Sequence, residues 1–133
     1  MPPPVAAAAL AAFDVLEQEG AARRQRLWRN VARLLDGLRR IGYDTGLTTS
    51  AVVPVIVGSE RNAVALTHYC QERDLFAMPV MPPAVPVGTA RLRLNVMASH
   101  TDEDVDRALD ILAQAGKTLF PELLRPVEAS REA

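Results

Sequence analysis

The chain has 133 residues, of which 49% are apolar and 23% charged, and it carries a net charge of −1 at pH 7. That length and balance suit one folded domain, residues 1–133, and exclude a disordered chain. The near-neutral charge excludes the strong field that nucleic acid or an anionic membrane surface selects.

The first predicted element is a helix over residues 5–19, alanine-rich, with Leu10, Phe13 and Leu16 spaced for one face and Gly20 as its stop. A second, amphipathic helix is predicted over 21–41. Leu27, Val31, Leu34, Leu35, Leu38 and Ile41 share a stripe there, and Gly42 ends it. Trp28 flanks the stripe and suits an edge or a partner surface. The turn formers Asp44, Gly46, Thr48, Thr49 and Ser50 follow. Residues 52–57 then read as a strand, and Pro54, which has no N–H, places that strand at an edge or a bulge.

Ser59 is a suitable N-cap for a helix over 60–73 whose apolar members are Val64, Leu66, Tyr69 and Cys70. Residues 75–80 form a short extended piece, and 81–88 a loop. Residues 91–97 alternate as a half-buried strand does. Leu92, Leu94 and Val96 face one way, and Arg91, Arg93, Asn95 and Met97 the other. Thr101 caps a final helix with Asp102, Glu103 and Asp104 in its first turn, and Val105, Ala108, Leu109, Leu112 and Ala115 form its buried stripe. Beyond Pro121 the tail is expected to fray. This order predicts an α+β fold, a small and mostly antiparallel sheet with helices packed on one face. N-terminal helices span 5–41 and a sheet-and-helix core spans 50–120.

Few residues suggest chemistry. Arg91 and Arg93 share the polar face of one strand. A guanidinium so held can grip a carboxylate through two parallel hydrogen bonds. Alternating charge on a strand is equally what a solvated sheet face shows. Met81, Pro82, Pro83, Ala84 and Gly88 belong to a proline-stiffened loop that reads as a flap over a site or as a rigid connection. His100, between a strand and a helix, suits bonds to nearby backbone. The acidic run after it suits the helix dipole. The lone Cys70 excludes an intramolecular disulfide and a cysteine metal cluster. No metal site or phosphate loop is evident. No apolar run approaches about 20 residues, so no membrane span is expected. The apolar start has no basic region before it, so no signal peptide is expected and the cytoplasm is the default location.

The run Pro82-Pro83-Ala84-Val85-Pro86-Val87-Gly88-Thr89-Ala90-Arg91-Leu92-Arg93, with Ala98-Ser99-His100-Thr101 after it, resembles the substrate-arginine segment of the α-oxoamine synthases. These are pyridoxal-phosphate enzymes of the class II aminotransferase group. Residues 3–10 resemble the helix start that follows the lysine region in that family, and 50–58 the first strand of its C-terminal domain. The resemblance implies the C-terminal small domain of a fold-type I enzyme that condenses an amino acid with an acyl-CoA or acyl-carrier-protein thioester. It implies that Arg93 grips the amino-acid carboxylate and that Arg91 has no such contact. Bacterial serine palmitoyltransferases carry an arginine before the Pro-Pro pair, and Met81 sets this chain apart from that subgroup. The implied cofactor is pyridoxal phosphate, held mainly by a large domain with a Schiff-base lysine. Lys117, the sole lysine, matches no catalytic position. The chain alone is therefore expected to be inactive, with no catalytic residue. Residues 5–19 and the face around Arg93 would abut that large domain and a second subunit of a homodimer. The alternatives are a non-catalytic assembly subunit that pairs with a lysine-bearing partner, and an unrelated α+β protein with a solvated arginine face.

Overall fold

Residues 3–41 form a single helix, α1 (Pro3–Ile41), where the sequence suggested two. The computed structural model describes residues 2–124. Gly20 lies within α1 without ending it. A glycine inside a helix costs about 1 kcal/mol relative to alanine, and the good helix formers on both sides outweigh one such loss. The stop is Gly42, which adopts a left-handed φ of 105° and donates its N–H to the Leu38 and Arg39 carbonyls. Pro3 starts the helix at a position where no N–H is needed.

The remaining elements are β1 (Val52–Gly58), α2 (Glu60–Gln71), β2 (Met78–Val80), β3 (Ala90–Asn95) and α3 (Asp102–Leu119). The three strands make one antiparallel sheet in the order β1-β3-β2. Pro54 lies opposite Arg93 on the edge strand β1. The Ile56 N–H, two residues on, points away from β3 and donates to the Asp44 carbonyl at 2.9 Å. The nitrogen of Pro54 therefore faces the open edge, where its missing N–H breaks no ladder bond. The extended piece predicted over 75–80 shortens to Met78–Val80.

One sheet face is covered and the other is open. Val53, Val55 and Val57 of β1, and Leu92 and Leu94 of β3, are buried with Val31, Leu34 and Leu38 of α1 and Leu112 of α3. In α2 the buried residues are Ala63, Leu66, Thr67 and Cys70, while Val64 is exposed. Leu66 and Cys70 are buried as expected and Tyr69 packs on the core, but Ala63 and Thr67 take the place of Val64; Thr67 returns its hydroxyl to the Ala63 carbonyl and so is buried without an unpaired donor. Residues 121–123 form a turn and Leu124 packs on the core. The rest of the tail expected to fray lies outside the described residues.

Candidate functional site

Arg93 sits on the central strand, on the face away from the core, with Pro54 and Met78 as its cross-strand neighbours. It is exposed, and among the described residues no carboxylate or carbonyl engages its guanidinium. Arg91 differs. It is half-buried and its Nε donates to the Thr89 carbonyl at 2.9 Å, which ties it to the strand entrance. The two arginines that the sequence placed together are thus distinguished by what already holds them. A guanidinium with its donors free on a rigid strand is the one available to an incoming carboxylate.

Arg93 also lines a groove of about 560 Å³. The apolar wall includes Leu34, Val96, Val105 and Ile111, and the half-open rim carries Phe76, Met78 and Met97. Asn95, His100, Asp104 and Arg107 add polar groups to it. A turn after β3 shapes this end of the groove. Asn30 of α1 is fully buried, and its Nδ2 donates to the Met97 carbonyl at 3.1 Å and the His100 carbonyl at 2.8 Å. The His100 Nδ1 accepts from the Met97 N–H at 3.3 Å, as its backbone-binding reading expected. Asn30 had no signal of its own in the sequence. It is a polar residue beside a helix stripe, and its partners lie about 70 residues away.

The acidic run beyond is a helix cap. Thr101 and Asp104 form a reciprocal capping box. The Thr101 N–H and hydroxyl both reach Asp104 Oδ2 at 2.8 Å and hold that carboxyl below the usual carboxylate range. Asp102 and Asp106 have a second use that the sequence did not disclose. Asp102 meets Arg29 at 3.1 Å, and Asp106 accepts from Nε and Nη2 of Arg33, at 2.8 and 2.6 Å. These exposed pairs fix the α1–α3 register more than they stabilise it.

The loop containing Met81, Pro82, Pro83, Ala84 and Gly88 is not part of the groove. It joins β2 to β3 at the Arg91 end of the sheet, since Val80 pairs with Arg91. Met81 packs on the core, whereas Pro83, Ala84 and Gly88 are exposed. Two turns tie it: the Ala84 N–H donates to the Met81 carbonyl, and the Thr89 N–H to that of Pro86. Gly88 takes a φ of 81°, which a side chain would strain.

The described residues do not by themselves fit a pyridoxal-phosphate cradle. Lys117 is exposed in the last turn of α3, about 15 Å along the helix axis from the groove residue Arg107 at 1.5 Å per residue. Cys70 offers no nucleophile either, because burial pushes its thiol up to about 11. What the site can do is hold an anion against an apolar wall.

Known proteins resemble this chain over most of its length. The sequence profile of the aminotransferase class I and II family matches residues 1–112. An 8-amino-7-oxononanoate synthase of Geobacter metallireducens is 43% identical over 118 residues, covering 88% of this chain and 30% of its own length. A serine palmitoyltransferase from S. paucimobilis, solved with a bound PLP–myriocin aldimine, superposes with a TM-score of 0.81. It is 31% identical, over 89% of this chain and 30% of that one. A Sphingomonas wittichii serine palmitoyltransferase is 39% identical with a TM-score of 0.68, over 71% of this chain and 24% of its own. The chain thus spans about 30% of the length of the curated relatives it matches. The family profile spans the segments that resemble the α-oxoamine synthases, and the chain belongs to the aminotransferase class I and II family.

Proposed function

We propose that this chain is a single domain, the C-terminal substrate-carboxylate-binding part of a pyridoxal-phosphate-dependent acyltransferase that condenses an amino acid with an acyl thioester. In this reading the cofactor is held mainly by a lysine-bearing large domain outside the chain, and the open sheet face turns toward that domain. Arg93 orients the amino acid by its carboxylate. Met81, Pro82, Pro83, Ala84 and Gly88 border the same face from the Arg91 end. The observation that carries the reading is that Arg93 stands on the central strand beside an apolar groove with its guanidinium unengaged among the described residues, while the Nε of Arg91 donates to the Thr89 carbonyl. The relatives named 8-amino-7-oxononanoate synthase support the reaction class.

The test uses an enzyme that contains this chain as its C-terminal part, with amino-acid binding followed by spectral titration of the cofactor. Arg93→Ala is expected to weaken binding by about 2–4 kcal/mol, the cost of removing one partner of a desolvated charge pair. Arg93→Lys recovers only part, since an ammonium cannot reproduce the fork. Arg91→Ala costs clearly less. Equal losses at the two positions would refute the assignment.

A further inference from the structure

Arg93 is flanked on both sides along its row of the sheet. Pro54 of β1 and Met78 of β2 are its cross-strand partners, so the three side chains project from the same open face. The Ile56 N–H bonds to the Asp44 carbonyl, away from β3, and the alternation along β1 gives the Pro54 backbone the same sense. Pro54 and Arg93 therefore exchange no backbone hydrogen bond, and in such a pair the strands bring the Cα atoms to about 4.5 Å, the closer of the two antiparallel spacings. The backbone groups of Arg93 turn toward Met78 instead, which fixes the arginine's Cα from the other side.

Neither neighbour offers Arg93 a competing partner. The side chain of proline has no polar atom, and a thioether sulfur accepts only weakly. Besides the two arginines, this face of the three strands carries Val52, Ile56, Val80 and Asn95 and no carboxylate. Two acids line the groove with Arg93, and both are engaged elsewhere. Asp104 accepts from Thr101 at 2.8 Å, and Asp74 accepts from Arg107 at 3.4 Å. A long cationic side chain lays its aliphatic stem along apolar surface and keeps its charged head beyond it. Half-buried Pro54 supplies a rigid surface of that kind. Met78, 45% exposed, supplies a flexible one that can follow the stem.

We propose that Pro54 and Met78 are positioning residues for the carboxylate grip of Arg93. They flank its stem from the two neighbouring strands and narrow its orientations before the amino acid arrives. Less side-chain freedom is then lost on binding, and the charge pair forms in a drier setting, where it is stronger. The inference rests on the carboxylate-binding reading of Arg93 and adds to it the part that the flanking strands play.

The test uses an enzyme that contains this chain as its C-terminal part. Its cofactor spectrum is titrated with glycine, L-alanine and L-serine, and with methylamine, ethylamine and ethanolamine, the same molecules without the carboxylate. Met78→Ser should weaken amino-acid binding by about threefold, and Pro54→Ser combined with Met78→Ser by about tenfold, as the arginine regains freedom that binding must remove. Met78→Leu keeps an apolar flank and should stay within about twofold of wild type. Met78→Glu sets a rival carboxylate directly across from Arg93 and should cost about fivefold or more, whereas Met78→Gln, of the same size without the charge, should cost less. Amine binding should stay as in wild type throughout. A merely structural defect would weaken amines and amino acids together, and that result overturns the proposal. Normal amino-acid binding by Met78→Glu and by the double variant also overturns it. If Arg93→Ala still loses binding in that case, the carboxylate reading stands without the flanking role. Normal binding by Arg93→Ala, or a wild-type enzyme that does not prefer the amino acids to their amines, removes the reading and the proposal together.

Discussion

At the scale of the residue, the open sheet face separates two arginines that a sequence pattern treats alike. The Nε of Arg91 donates to the Thr89 carbonyl, whereas among the described residues Arg93 donates to no side chain or carbonyl. The same scale disposes of the other candidate groups. His100 serves the turn before α3, and Cys70 is fully buried with its thiol pushed up by desolvation. Lys117 is an exposed amine on the last turn of α3, outside the groove that Arg93 lines. Incubation of the chain with pyridoxal phosphate, then borohydride reduction and peptide mapping, is expected to give no stoichiometric adduct there. A single stoichiometric adduct at Lys117 would overturn the reading of the chain as the part of the enzyme without the Schiff-base lysine.

At the scale of the element, each helix end is set by its own chemistry. The N-terminus of α3 is the most explicit, because Thr101 and Asp104 satisfy each other's backbone donors. Removing the cap with Thr101→Ala should lower stability by about 1 kcal/mol, measured by urea unfolding at neutral pH. The pH dependence follows from the same bonds. The Asp104 carboxyl is held below its ordinary range by the Thr101 N–H and hydroxyl, and the Asp106 carboxyl by Arg33. A carboxyl whose value is lowered on folding stabilises the fold above its unfolded value, about 3.9 for aspartate. That contribution disappears as pH falls through the lowered folded value. Asp104→Asn should therefore destabilise the chain at pH 7 and flatten the loss of stability on acidification below about pH 4. An unchanged acid limb would show that the box does not carry charge-dependent stability.

At the scale of the whole molecule, stability rests on one face of a three-stranded sheet. Leu92 is fully buried at the middle of the central strand, and Leu112 of α3 is fully buried in the same core. Leu92→Ala should cost about 2–5 kcal/mol in chemical unfolding, since the surrounding strands and helices relax only partly into the space. A loss under about 1 kcal/mol would mean that the sheet is less tightly covered than its burial indicates. The other face stays open, and so does the early half of α1.

The sequence by itself determined the elements wherever a periodic pattern or a cap acts locally. The alternation of Leu92, Leu94 and Val96 against Arg91, Arg93 and Asn95 named the buried face of β3, and Ser59 and Thr101 named two helix starts. Pro54 placed β1 at an edge or a bulge because a missing donor must face away from the ladder, and β1 is an edge strand. The loop-strand segment also carried the family resemblance. What only the tertiary structure decided depends on groups distant in sequence. Gly20 does not break α1, because a local cost of about 1 kcal/mol is settled by the helix on both sides. Gly37 lets α3 approach α1, since a Cβ there would lie 3.0 Å from Leu109 Cγ. Asn30 holds a turn that lies about 70 residues further on. That the Nε of Arg91 is held by the Thr89 carbonyl likewise appears only in the folded chain. Spacing records which side of an element a residue faces, whereas the partner waiting on that side is fixed only when the chain has folded.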